Sequence, residues 1–287
     1  MGRITARRKV TRVRRGTEPS TRADVLAVEE PLEIRVNGTR LAVTMRTPGN
    51  DVELATGFLV SEGVITRGDD IDVARYCNGV DKAGANTYNV LDVALAAHVA
   101  PPNPELARNF TTTSACGVCG KSSIDTVVTR SAFDPAADDL SIDADAILAL
   151  PDRLRDGQAV FAKTGGLHAA ALFDGDSGDL SVIREDVGRH NAVDKVIGWA
   201  ALANQLPLRH SILQVSGRAS FELVQKAAMA GIPMLAAVSA PSSLAADLAD
   251  ERGITLVGFS RGDSMVIYTH PERITQSCVP EAANRTS

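Results

Sequence analysis

The chain has 287 residues, of which 44% are hydrophobic, 23% charged and only 4% aromatic, and its 30 basic and 35 acidic side chains leave a net charge of −5. Such a balance describes a soluble globular chain of one or two domains and excludes disorder and collagen-like repeats. The acidic surplus and the scarcity of rings argue against a nucleic-acid coat or a base-stacking surface, and no apolar run reaches the roughly 18 residues that a membrane helix needs.

Residues 1–15 carry six arginines and one lysine without an apolar stretch, which is not a secretory signal. The spacing predicts a disordered basic tail over 1–20, with docking of an acidic partner as its alternative role. Apolar runs at 32–36 and 41–45 flank Asn37-Gly38, the favoured pair for a tight hairpin turn. Asn50 stands where it can cap a helix over 51–62, with Asp51 and Glu53 in the first turn and Gly63 at the end. A strand follows at 88–95, so residues 21–110 read as a small α+β subdomain.

Pro101, Pro102 and Pro104 break the pattern, and residues 111–125 read as a mobile loop that carries Cys116 and Cys119. An acidic break at 131–141 comes next. Helices are then expected at 144–155, 191–204, 220–229 and 242–250, alternating with strands at 168–173, 180–183, 211–215, 234–238, 254–258 and 265–269. Alternation of this kind implies a three-layer α/β domain over 126–275 with a largely parallel sheet, followed by a tail at 276–287.

Four cysteines, Cys77, Cys116, Cys119 and Cys278, are too few for a disulfide framework in a chain this long and point to a reducing cytoplasm. The Cys116-Gly117-Val118-Cys119 pair admits four readings: half of a zinc site, a thiol–disulfide redox pair, two small buried hydrophobes, or a carrier of persulfide sulfur. Gly117 and Gly120 leave the sulfurs sterically open, and Lys121 favours the nucleophilic thiolate. Spacing alone does not choose among the four.

Residues 185–195 crowd Glu185, Asp186, Arg189, His190, Asn191, Asp194 and Lys195 around one expected helix N-terminus, a place where open α/β sheets hold ligands. Their alternative is a capped, ion-paired helix start. Ser216-Gly217-Arg218 suits a phosphate at a second strand-to-helix junction, and Thr164-Gly165-Gly166 with His168 forms a third glycine-rich turn. Phe259-Ser260-Arg261-Gly262-Asp263-Ser264 joins two strands and could equally be a plain hairpin. Gathered at one sheet edge, these turns would cradle a large, phosphate-rich ligand. His98, His210 and His270 read as surface or internally satisfied histidines.

The ordered set Cys116 to Lys121, Thr164 to His168, Glu185 to Lys195, Ser216 to Glu222 and Ser239 to Ser243, with Glu53 to Phe58 and Ser61 to Gly63, resembles the FdhD family of formate dehydrogenase accessory sulfurtransferases over about residues 31–270. The resemblance implies a cytidine-deaminase-like α/β main domain, a smaller N-terminal α+β subdomain and a cytoplasmic homodimer. It implies that Cys116 accepts sulfur as a persulfide from a cysteine desulfurase, with Cys119 as its partner. The sulfur then passes to the molybdenum of the bis-molybdopterin guanine dinucleotide cofactor, which formate dehydrogenase receives. The segment Phe259 to Ser264 is associated with binding that cofactor, and Thr164, Gly165, His190, Ser216, Gly217 and Arg218 are further candidates for holding it. Guanine nucleotides are expected to mimic it. No nucleic-acid or membrane partner is expected. Zinc deaminases place a cysteine pair after a His-x-Glu sequence; that order is missing, so neither deamination nor a bound zinc is expected. A non-catalytic chaperone of the same cofactor is the alternative function, and a zinc-binding interaction module a third.

Overall fold

The computed structural model describes residues 3–77, 79, 87–103 and 131–275. The chain begins with a long antiparallel hairpin, β1 (Thr5–Arg14) and β2 (Thr17–Ala27), turning at Arg15-Gly16. This corrects the expected disordered tail over 1–20. Threonine and valine recur through both strands, and β-branched residues favour the pleated backbone even where arginine hides the apolar alternation. Gly16 takes φ +80°, the left-handed conformation that a tight turn requires.

A second sheet has the order β4-β3-β6-β5, built from β3 (Glu30–Val36), β4 (Thr39–Arg46), β5 (Ile71–Tyr76) and β6 (Val90–Leu95). The Asn37-Gly38 hairpin between β3 and β4 stands where the sequence placed it. Helix α1 (Asp51–Ser61) follows, but Asn50 sits in the left-handed region and makes no side-chain cap bond. The Asp51 carboxylate is taken instead by a bidentate pair with the buried Arg46, at 3.1 and 3.0 Å.

A short strand, β7 (Ile142–Asp143), leads into α2 (Ala144–Gly157), and α3 (Phe161–Thr164) is a single turn. Then come β8 (His168–Asp174), β9 (Leu180–Asp186), α4 (Arg189–Leu202), β10 (Ser211–Val215), α5 (Phe221–Ala230), β11 (Met234–Ala237), α6 (Ser243–Glu251), β12 (Thr255–Arg261) and β13 (Ser264–Thr269). Ile274–Thr275 forms β14, which pairs with β7.

Six of these strands make the central sheet in the order β13-β12-β11-β10-β8-β9. Only the β10–β11 and β11–β12 pairings are parallel; β8 runs antiparallel to both neighbours, and β13 to β12. The expected largely parallel sheet is therefore a mixed one. The connections 175–179 and 262–263 are too short to carry a crossover helix, so those strands must return as hairpins.

Alternate residues of the sheet divide between two cores. Ala169, Ala171, Phe173, Ile212, Met234, Ala236 and Val257 meet Ile147, Leu150 and Leu154 of α2 on one face. Ala170, Leu172, Leu213, Val215, Leu235 and Leu256 meet α4, α5 and α6 on the other, where the cluster continues without a break through α1 to Leu32, Ile34 and Leu91 of the small sheet. The N-terminal α+β unit thus has its own sheet but shares its core with the main domain. Two glycines allow that union. A Cβ on Gly57 of α1 would lie 1.8 Å from the carbonyl oxygen of Asp194, and one on Gly198 of α4 would lie 1.8 Å from that of Glu53.

Candidate functional site

The topology brings the candidate turns to one edge of the central sheet. At this edge β9, β10, β11 and β12 end and β8 and β13 begin: His168 pairs with Asp186, Val215 with Ala170, and Arg261 with Ser264. Thr164 to His168, Asp186 to His190, Ser216 to Arg218 and Phe259 to Ser264 therefore all emerge on the same side, with Ser239 to Pro241 between the last two. The row from β9 to β12 spans roughly 19 Å at the usual strand spacing.

Three of these turns touch one another. A Cβ on Gly217 would lie 3.5 Å from His168 Nδ1 and 3.9 Å from Arg189 Cδ. His190 Nε2 lies 2.8 Å from Glu222 Oε2 and 3.3 Å from Ser220 Oγ, tying the start of α4 to the start of α5. The Ser216 hydroxyl accepts the Ala169 N–H at 2.9 Å and so closes the β8–β10 ladder. The Phe259 to Ser264 turn stands apart, two strands from Ser216, or roughly 10 Å. Its tip is a tight hairpin with Gly262 at φ +60°, and Phe259 itself bulges at φ +51° and donates its N–H to Ser239 O at 3.3 Å.

A cavity of about 420 Å³ opens on the α2 side of this edge, lined by Arg155, Gln158, Phe161, Gly165, Gly166, Leu167, His168, Val187 and Ser216. The Arg155 guanidinium stacks 4.1 Å from the centre of the Phe161 ring. The sequence reading missed Arg155, Gln158 and Phe161, because nothing local marks the C-terminal end of a helix as ligand-facing.

The electrostatics favour an anion. Helices α4, α5 and α6 all direct their N-termini to this edge, and such ends carry free N–H groups and a partial positive charge. The first two have no side-chain cap, while Ser242 caps α6. Arg155, Arg189, Arg218 and Arg261 stand around the same edge. Burial, followed by the neighbouring Arg189 and His190, holds His168 below the ordinary histidine range, so it is neutral at pH 7. Arg189 Nε, Gln158 Nε2 and Ser260 Oγ are shut off from solvent without a hydrogen-bond partner among the described residues. Thr56 Oγ1 in α1 and Gln214 Oε1 within β10 are orphaned as well, so the unpaired state does not by itself mark a ligand position; the three at this edge leave hydrogen-bonding capacity that the fold does not use.

Much of the cluster at 185–195 proves structural. Asp186 is fully buried; it pairs with Lys195 at 2.7 Å and accepts from Thr47 N, Gly188 N and Asn191 Nδ2. Asp194 is held by Lys226 and Ser61 Oγ, and burial still pushes its carboxyl upward. Glu185 caps the single turn of α3 by accepting from Val160 N and Phe161 N. Only Arg189 and His190 of that cluster remain at the open edge. His98, His210 and His270 are satisfied by carboxylates, as expected. The chain does contain one His-x-Glu, His270-Pro271-Glu272, but it follows both loop cysteines in sequence and lies at the opposite sheet edge. Asp138, Asp139 and His210 bring possible metal-ligand atoms within 4.8 Å of one another, also at that far edge. Cys116, Cys119 and the loop expected over 111–125 lie outside the described residues, as does the tail 276–287. No described helix is long and apolar enough to cross a membrane.

A family model described as the FdhD/NarQ family matches residues 27–275. The sulfur carrier protein FdhD of Mycobacterium tuberculosis is 59% identical over 278 residues, which cover 96% of this chain and 100% of that protein. The protein of the same name from Sulfolobus acidocaldarius is 44% identical over 93% of this chain and 97% of its own. The fold is similar to the crystal structure of a "putative formate dehydrogenase accessory protein" from Desulfotalea psychrophila, with a TM-score of 0.76 and 26% identity over 95% of this chain and 100% of that one.

Proposed function

The chain belongs to the FdhD/NarQ family, and from that premise we propose that it is a sulfur carrier in the cytoplasm that serves formate dehydrogenase. Sulfur arrives from a cysteine desulfurase as a persulfide on Cys116. It leaves for the molybdenum of bis-molybdopterin guanine dinucleotide, which is bound as cargo along the open sheet edge.

The observation that carries this reading is the convergence of the turns at Thr164, Gly188, Ser216 and Phe259 on one edge that also collects three helix N-termini, four arginines and three orphaned polar atoms. Such an edge suits a long ligand with several phosphates and planar heterocycles. Backbone N–H groups at the starts of α4 and α5 would hold phosphate oxygens, Arg189 and Arg218 would add charge-assisted bonds, and the cavity with Arg155, Gln158 and Phe161 would take a planar, polar heterocycle.

In the loading step the Cys116 thiolate attacks the outer sulfur of the donor persulfide. A new S–S bond forms as the donor's own S–S bond breaks, and the donor cysteine leaves as a thiolate, so no net oxidation occurs. Attack by Cys119 on the inner sulfur then expels hydrosulfide to the cargo, where it replaces an oxygen ligand that departs as hydroxide; the two cysteines supply both electrons, and a dithiol reductant returns the resulting Cys116–Cys119 disulfide to two thiols. Holding the cargo on a rigid sheet edge supports the second transfer by fixing its reacting atom in place.

The test is mass spectrometry of the protein after incubation with a cysteine desulfurase and cysteine. A gain of one sulfur mapped to Cys116, absent from Cys116→Ala, supports the reading; a fully active Cys116→Ala protein overturns it, and failure to load despite tight cargo binding favours a chaperone.

A further inference from the structure

A second charged surface stands on the ribbon that projects from beside the cargo edge. Residues 3–27 hold eight basic against two acidic side chains, a net charge of +6, so the other 22 basic and 33 acidic side chains give the remainder −11. All eight cations, Arg3, Arg7, Arg8, Lys9, Arg12, Arg14, Arg15 and Arg22, are exposed. Among the described residues their one ion pair is Arg22 with Asp24, at 3.5 Å and half-exposed, where such pairs contribute little.

A two-stranded ribbon in water is marginal by itself, and this one buries little of its length against the body. Val13 forms the bulge near its tip and is 72% exposed, while Ile4 and Leu26 are each 43% exposed. Seven of the eight cations are arginine, the charged residue enriched at protein–protein interfaces. The family model begins at residue 27, where the ribbon ends.

Its base locates what it holds. Val28 donates to Ile4 O at 3.0 Å, Ile4 Cγ2 packs by Gly49, and β2 packs on α3. The Ala27 Cβ lies 3.9 Å from where a Cβ on Gly166 would stand, and Gly166 lines the cavity. The base of the ribbon therefore stands at the cavity mouth, and a partner that lies along the ribbon down to its base reaches that mouth.

We infer that the β1–β2 ribbon is a docking arm for the acidic face of a partner protein, which it brings to the mouth of the cargo site. A duplex fits less well. Its phosphates recur every 1.7 Å or so along the axis and would be repelled by the acidic body beside the arm, and the ribbon has no aromatic ring to stack on a base. A protein can confine its acidic patch to the arm. The inference rests on the sulfur-carrier reading for the choice of partner: a protein that gives sulfur or receives the cargo must reach this mouth.

The test compares the full chain with a variant carrying Arg7→Glu, Arg12→Glu and Arg14→Glu and with a second carrying lysine at the same three positions. Binding is measured to purified cysteine desulfurase, to apo-formate dehydrogenase and to a mixed-sequence DNA duplex at low and physiological salt, together with sedimentation of each chain alone. The expected result is that at least one of the two proteins binds about tenfold or more weakly to the glutamate variant, with lysine restoring most of the affinity and salt weakening it. Equal binding by all three chains, no binding of either protein, arm-dependent binding of DNA, or arm-dependent self-association overturns the proposal. Persulfide loading of Cys116 from glutathione persulfide, which needs no protein donor, reports separately on the carrier reading: if it fails in the full chain, that reading fails whatever the arm does.

Discussion

The two edges of the central sheet are built from the same strands and finished in opposite ways. At the far edge, Arg273 is buried and donates to Gly253 O, Pro135 O, Asp138 O and Thr255 Oγ1, while Thr269 Oγ1 both donates to Ile254 O and accepts from Leu256 N. Asp138 accepts from Leu140 N and His210 N. At the near edge, Arg189, Gln158 and Ser260 keep buried polar atoms without partners, and two helix starts go uncapped. The far-edge polar atoms named here are satisfied internally and stabilise the fold; those at the near edge keep hydrogen-bonding capacity that the fold itself does not use.

The sharpest break of this contrast is at Asp186, which lies at the near edge yet belongs structurally with the far one. Asp186→Ala should cost about 3–5 kcal/mol in urea unfolding, because it strands the buried Lys195 ammonium. A loss below about 1 kcal/mol would return this carboxylate to the ligand site. Arg273→Ala should cost about 2–4 kcal/mol by leaving buried carbonyls unpaired, with guanosine diphosphate affinity unchanged in calorimetry. Arg189→Ala should do the reverse, changing unfolding free energy by less than about 1 kcal/mol while weakening guanosine diphosphate binding about tenfold or more.

The smallest effect is one of pH. Hydrogen bonds to Asp139 and then Asp176 raise the pKa of His210 at the far edge. Its folded value is above its unfolded one, so its contribution is full below the unfolded value of about 6.5 and fades as pH rises through the folded value. His210→Gln should therefore lower the unfolding midpoint in mildly acidic buffer and leave it nearly unchanged in alkaline buffer. His168 at the near edge has the opposite sign: its lowered pKa gives a contribution present above about 6.5 and lost as pH falls.

Individual elements differed in how plainly the sequence announced them. The strand at 211–215 was legible to the residue because Ile212, Leu213 and Val215 form a short apolar run closed by Ser216-Gly217, and the Asn37-Gly38 hairpin because that pair suits one turn geometry. The β1–β2 ribbon was not, since arginines occupy the positions where alternation would show. At the candidate site, the glycine-rich turns were visible, but the cavity residues Arg155, Gln158 and Phe161 were not. The cluster at 185–195 was visible as a cluster, whereas its division into buried ion pairs and two open side chains was invisible, because burial depends on α1 packing across Gly57 and Gly198.

Local chemistry along the chain was enough to establish where most strands and helices lie and to single out the glycine-rich turns and the cysteine pair as candidates, for these depend on neighbours a few positions away. Strand order was another matter. Whether four turns spread over a hundred residues share one edge, and which charges near them are neutralised in the core, depends on long-range pairing and packing, and only the tertiary structure decided both.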